Sequence, residues 1–198
     1  MLIHENILME NGASIKNFKP KEIIFEEGNL VHYYFQIHQG EVKINNYNAD
    51  GTEFIHNILG DGQSLGESSL FNEKPYPMNS IAISDCKILC LPKNDFFKLL
   101  KEKPEISVAV IHYISERMYY KMIMIKNNSV KNPVEKVWTL LNYLKSFQFN
   151  KDAFSFQIRH TRQELACLTG LAVETVIRSV KILEKEHKLL IQNGKIFI

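Results

Sequence analysis

Apolar and polar positions along this chain change period twice. Between Ile15 and Leu91, short apolar pieces (Ile23–Phe25, Tyr33–Ile37, Val42–Ile44, Phe54–Leu59, Ile81–Ile83, Ile88–Leu91) alternate with turn signals at Lys19-Pro20, Gly28-Asn29, Gln39-Gly40, Asp50-Gly51 and Gly60-Asp61-Gly62. Turns recur roughly every ten residues, which predicts a small sandwich or barrel of short strands. No helical period in this stretch is long enough to compete. Residues 1–14 read as a short helix or arm, and Asp95 to Lys101 as a short helix that Lys103-Pro104 ends.

From Glu105 to about Asn127 the period becomes helical, with no proline or glycine and a stripe of Ile111, Ile114, Met118, Met122 and Ile125. Val108, Val110, Tyr113, Tyr119, Tyr120 and Met124 add apolar surface on other sides. Such a helix buries two faces, one against its own β domain and one against another body. A second copy related by a twofold axis is the economical partner, a wholly internal core helix the alternative. Asn132-Pro133-Val134-Glu135 then reads as a helix start, with asparagine as cap and proline at the first helical position. That helix runs through Trp138, Leu140, Leu141 and Leu144 to near Phe147. Polar Asn127–Lys131 reads as a hinge, and Phe154–Ile158 alternates as one strand.

The densest set of local signals lies between Thr161 and Glu184. Thr161 followed by Glu164 is a capping box, in which each side chain satisfies an orphan amide of a helix start. The short helix stops at Thr169-Gly170, where glycine takes the positive φ of a sharp turn. A second helix from about Val173 to Glu184 puts Val176, Val180 and Leu183 on one stripe and Glu174, Arg178, Lys181 and Lys185 on the opposite one. Arg178 has the fork for guanine O6 and N7, Glu174 accepts from cytosine N4, and Val173 is placed for a thymine methyl. The bland alternative is a surface helix supported by a Glu→Arg pair four residues apart. Asn193-Gly194 between apolar runs predicts a hairpin of the type I′ turn. Helix, turn, helix and hairpin make a winged helix-turn-helix, a DNA-binding architecture.

Composition sharpens this only locally. Of 198 residues 45% are hydrophobic and 23% charged, which is globular, and the net charge is only +2. Residues 148–198 carry eight Lys/Arg against five Asp/Glu, whereas residues 1–147 carry 16 against 17. Three of the four arginines (Arg159, Arg162, Arg178) lie in the C-terminal segment. No apolar run approaches a membrane span and the N-terminus has no secretory pattern, so a cytoplasmic protein without a membrane partner is expected. Cys86, Cys90 and Cys167 show no metal or redox spacing, and the histidines are scattered, so no metal and no cofactor is expected. No nucleophile–base pair stands out, which argues against an enzyme.

In this order the elements resemble the Crp/Fnr family of bacterial transcription regulators, from about residue 15 to 198. Turn glycines recur in family order through Leu65-Gly66-Glu67, and Thr161-Arg162-Gln163-Glu164-Leu165-Ala166 with Glu174-Thr175-Val176-Ile177-Arg178 is close to the family pattern. The resemblance implies an α+β fold: an N-terminal double-stranded β-helix (a jelly-roll-like barrel) over residues 1–103 as sensor, a dimerisation helix and hinge over 104–131, and a winged helix-turn-helix over 132–198. It implies a homodimer on double-stranded DNA, with RNA polymerase as a further partner if the protein activates. DNA contacts are expected from Thr161, Arg162, Gln163, Val173, Glu174, Thr175, Ile177, Arg178 and Lys181, with Arg162 and Gln163 on phosphates and Glu174 and Arg178 reading a G·C pair in a TGA-like half-site.

Departures from the family concern flanking bases and the effector. Val173 stands where the cyclic-AMP receptor subgroup has arginine, and Ile177 where the Fnr subgroup has serine. The cassette that grips a cyclic nucleotide begins here as Gly66-Glu67-Ser68-Ser69-Leu70-Phe71, but Tyr76-Pro77 falls about where an Arg-Ser pair would neutralise phosphate. No arginine precedes residue 117, and Lys74 offers only a point charge. An effector pocket would comprise Gly66, Glu67, Ser68, Tyr76, Lys121 and Met122, the last two where adenine meets a hydroxyl pair in the family. Cyclic AMP is therefore not expected as a tight ligand, and an unknown small effector stays open. An iron–sulfur sensor lacks its cysteines, and for haem only His112 lies on the long helix. The other reading is a cyclic-nucleotide-type sensor or scaffold whose winged helix binds protein.

Overall fold

A computed structural model describes residues 1–146, 148–150 and 152–198. The chain forms two compact units, Met1–Met118 and Tyr119–Ile198. The first holds α1 (Glu5–Glu10), strands β1 (Ser14–Phe18), β2 (Ile23–Phe25), β3 (Tyr33–Gln39), β4 (Val42–Tyr47), β5 (Glu53–Leu59) and β6 (Ser64–Leu65), helix α2 (Glu67–Asn72), strands β7 (Asn79–Ala82) and β8 (Cys86–Pro92), and helix α3 (Lys93–Glu102). Helix α4 (Pro104–Ser129), 26 residues long, contributes to both units.

Two four-stranded antiparallel sheets, ordered β1-β8-β3-β6 and β2-β7-β4-β5, build the jelly-roll-like barrel. Between them lie Phe25, Phe35, Ile37, Val42, Ile44, Leu59, Ile88 and Cys90. Strand alternation sends the intervening residues Tyr34, Leu89 and Leu91 to the other face, where α1, α3 and the start of α4 cover them with Leu8, Phe96, Leu99, Ile106 and Val110. Burial on both faces is why β3 and β8 read as unbroken apolar runs. Buried Gln36 ties the N-terminal arm to β3: its Oε1 accepts from the Ile3 amide at 3.0 Å and its Nε2 donates to the Ile3 carbonyl at 2.8 Å. All six predicted apolar pieces fall on strands; β1, β6 and α2 come in addition.

The second unit holds α5 (Pro133–Ser146), β9 (Gln157–Ile158), α6 (Arg162–Thr169), α7 (Val173–Lys185), β10 (Leu190–Gln192) and β11 (Lys195–Phe197). The Val134 amide donates to Asn132 Oδ1 at 2.9 Å, so α5 starts on its predicted cap. The expected helix end at Phe147 lies outside the described residues. Buried Val137, Leu140 and Leu141 of α5 meet Leu165, Val176, Val180 and Leu183 of α6 and α7. Strand order β10-β11-β9 forms the wing. Asn193 (φ 50°) and Gly194 (φ 75°) both take positive φ, as the predicted turn requires.

Two expectations are corrected. Phe154 has a φ of 58°, so the extended run cannot begin there, and the strand is confined to Gln157–Ile158; Phe156 still exchanges two backbone hydrogen bonds with Ile198. The stretch read as a hinge is helical up to Ser129, and Asn127 within it is buried, donating from Nδ2 to the Lys136 carbonyl at 3.0 Å.

Candidate nucleic-acid interface and effector cassette

Helix α6 begins with both halves of the capping box: Thr161 Oγ1 accepts from the Glu164 amide at 3.1 Å, and Glu164 Oε2 accepts from the Thr161 amide at 2.7 Å. It ends at Gly170 (φ 65°), and α7 follows after two intervening residues. Val176, Val180 and Leu183 are fully buried, which turns the opposite stripe outward. Glu174, Arg178, Lys181 and Lys185 are all exposed. Glu174 and Arg178 form no ion pair; Arg178 Nη2 instead donates to Thr175 Oγ1 at 3.4 Å. The self-supporting pair of the bland reading is therefore not made.

The other expected contact residues surround this stripe. Ile177 is 39% exposed beside Arg178, and Val173 and Thr175 are half-buried. Arg162 is half-buried, and burial draws its guanidinium below the ordinary range. Gln163 is exposed, with its amide donating to Cys167 Sγ at 3.6 Å. All nine predicted residues thus sit on α6, α7 or the residue that caps α6.

The cassette is more enclosed than expected. Gly66 (φ 68°) precedes α2, and a Cβ there would lie 2.6 Å from Tyr76 Cε1 and 3.2 Å from Phe25 Cζ. Tyr76, 3% exposed, stacks on Phe25 with centroids 3.8 Å apart. Glu67 is buried, with its Oε1 3.1 Å from Arg117 Nη1 and its Oε2 accepting from Ser64 Oγ at 3.3 Å. Arg117 also donates to the Ser64 carbonyl at 3.1 Å, and the Tyr113 hydroxyl bonds both the amide and the carbonyl of Ser64 at 3.2 Å. Helix α4 thereby satisfies the Ser64 backbone in the two-residue strand β6. Burial raises the Tyr34, Tyr76 and Tyr113 hydroxyls, with the Glu67 charge adding to each, so all three stay protonated.

Sequence reading missed Arg117. Its signal was its rarity, as the first arginine of the chain, set among the apolar residues of the long helix. Of the predicted pocket residues, Gly66, Glu67 and Tyr76 come together while Ser68 is exposed. Lys121 and Met122 belong to the second unit, Lys121 half-buried and Met122 exposed.

Along α4, Val108, Ile111, Met118, Met122 and Ile125 are 55–70% exposed. With Ser115 they are spaced three and four residues apart, the heptad of a helix–helix seam. Ile114, expected in this stripe, instead packs on the barrel-side core, and Val108 takes its place. The wholly internal helix is thereby excluded. His112 is exposed, and among the described residues no group of three or more His, Cys, Asp or Glu side chains is placed to hold a metal ion. No helix among them is long and apolar enough to cross a membrane.

The chain thus combines a two-sheet barrel, a long helix and a winged helix-turn-helix. The family model of the cyclic nucleotide-binding domain matches residues 15–103. The chain is 27% identical over 186 residues to the cAMP-activated global transcriptional regulator CRP of Pasteurella multocida, covering 93% of this chain and 88% of that protein. Its fold is shared with CooA of Carboxydothermus hydrogenoformans (a mutant; TM-score 0.84, 16% identity, 98% of this chain and 86% of that one). It is shared as well with the c-di-GMP responsive global regulator CLP of Xanthomonas campestris (TM-score 0.76, 18% identity, 98% and 99%). By sequence and fold the chain is similar over nearly its whole length to regulators of the Crp/Fnr family, and its function is DNA-binding transcription regulation.

Proposed function

We propose that this regulator works as a homodimer joined along α4, with one α7 in the major groove of each half of an inverted repeat. The observation that carries this reading is the α7 front: Glu174 and Arg178 stand exposed, one turn apart and unpaired with each other, free to meet a G·C pair. Thr161, Arg162 and Gln163 at the start of α6 fit phosphate contacts, and Val173, Thr175, Ile177 and Lys181 border the base-reading residues. The exposed heptad on α4 supports pairing of two copies, since an apolar stripe of this length is left in water by a single chain. RNA polymerase is a further partner if the protein activates. A protein-binding winged helix would not need this cationic, carboxylate-bearing front.

Cyclic AMP is not the effector in this reading. The Tyr76 ring lies against Gly66 where the cassette would admit a ligand, and Glu67 already spends its charge on Arg117. A cyclic phosphate would meet no free arginine there and would lose charge-assisted bonds of ~1.5–3 kcal/mol each. Calorimetry is expected to show no heat of saturable binding with cyclic AMP or cyclic GMP, and micromolar dissociation constants would refute this. The regulator reading is tested by selecting bound sequences from random duplex DNA without ligand. An enriched inverted repeat with a TGA-type core is the expected result; no enrichment from an intact dimer would count against ligand-free DNA reading.

A further inference from the structure

The barrel has a cavity that the cassette does not explain. It measures about 310 Å³ and opens where β1, the β2–β3 connection and β3 meet. That volume is at the small end of the range of small-molecule sites. Half of its lining residues are Phe or Tyr (Phe18, Phe25, Tyr33, Phe35 and Tyr76), with Ile24 and Leu30 adding aliphatic surface. Three ring contacts tie the wall together: Phe25 on Tyr76 at 3.8 Å, Phe25 on Phe35 at 5.9 Å, and Tyr33 on Phe35 at 5.9 Å. The space is a cleft open to solvent, and a wall of π-faces is matched by a ligand carrying its own ring.

Charge narrows the class. Lys16 and His32 line the cavity and no acidic residue does. Lys16 Nζ lies 5.1 Å from the centre of the Tyr33 ring, so a cation is held at the mouth beside the aromatic wall. Neither Glu67 nor Ser68 of the cassette borders this space. The two sites share only the Phe25–Tyr76 stack, whose rings press on Gly66, next to Glu67 and its partner Arg117 on α4.

We infer that this cavity binds a small aromatic carboxylic acid, its ring between the aromatic walls and its carboxylate at Lys16, and that occupancy acts on α4 through Tyr76 and Gly66. The binding step stands apart from the DNA reading; the coupling step rests on it. The test uses the full-length protein with 2-naphthoate and its neutral analogue 2-naphthalenemethanol as probes. Calorimetry is expected to show one naphthoate per chain, held several-fold more tightly than the alcohol, with the difference lost in Lys16→Gln, an exposed substitution that leaves the fold intact. Amide shifts in an ¹⁵N spectrum should begin at residues 16–35 and 75–77 and be unmoved by added cyclic AMP. Equal binding of acid and alcohol, no saturable binding up to millimolar probe, or shifts confined to other residues would overturn the site. A change in affinity for the DNA selected without ligand supports the coupling. Binding with unchanged DNA affinity overturns the coupling alone, and failure of that DNA selection speaks against the regulator reading, not against the cavity.

Discussion

Each unit of this protein sets one glutamate and one arginine at a position of functional interest, and the two pairs are used in opposite ways. Glu67 and Arg117 are brought together from residues 50 positions apart, buried at 3.1 Å and backed by Ser64 and Tyr113. Glu174 and Arg178 are neighbours on one helix turn, yet each faces solvent and neither holds the other. A carboxylate and a guanidinium that satisfy each other are structural elements. The same two groups left apart on a rigid helix remain available to a third body. Identical chemistry gives a clasp in the barrel and, in the proposed function, a reader in the winged helix, and the backbone that carries them decides which.

The largest expected effect comes from opening the clasp. Arg117→Ala leaves a buried carboxylate without its cation, and breaking one side of such a pair costs about 3–5 kcal/mol. Urea denaturation is expected to register that loss in the barrel. Replacing both partners, Glu67→Gln with Arg117→Met, should recover most of it, because the isolated charge is then gone. A single variant within about 1 kcal/mol of the native protein would mean that the pair is effectively solvated and that the comparison fails on its barrel side.

The reader is tested by a substitution that leaves folding alone. Arg178→Ala removes an exposed side chain, so the melting temperature is expected to hold. Affinity for the selected site should fall by about 1–3 kcal/mol, with relaxed preference at one base pair. Equal losses on selected and random duplexes, measured by anisotropy at one fixed salt concentration, would sink the base-reading role.

These two regions also differ in how far the sequence reveals them. The capping box of Thr161 and Glu164, the stop at Gly170, the Asn193-Gly194 turn and the stripe of α7 rest on residues within a turn or two of one another, where local sterics and hydrogen bonding decide the outcome. All appear in the structure as read. The cassette depends on contacts across tens of residues. Nothing local pairs Glu67 with Arg117 or lays Tyr76 on Phe25, and α2 is too short for a helical period to announce it. The same holds for β6, whose Ser64 backbone is bonded by Tyr113 and Arg117 from α4. On α4 the apolar content was legible, but which side met the barrel was not: Ile114 turned inward and Val108 outward, because long-range packing against the barrel-side core chooses the face.

The smallest of the expected effects separates the frame of the reader from the reading itself. Thr161 caps α6, and the contact proposed for it is to a phosphate, not to a base edge. Thr161→Ala strands the Glu164 amide and removes half of the reciprocal box, a loss of about 1 kcal/mol for a cap of this type. The single tryptophan, Trp138 on α5, lies in the same unit with Lys188 Nζ 6.0 Å above its ring, so its fluorescence reports unfolding of the winged helix. The transition should move to lower denaturant while the selected DNA sequence stays the same, since Glu174 and Arg178 keep their places on α7. Thr161→Ser should restore the midpoint, because serine accepts the same bond. A cap variant that shifts base preference as Arg178→Ala does would show that α6 placement, and not the α7 front, sets which pair is read.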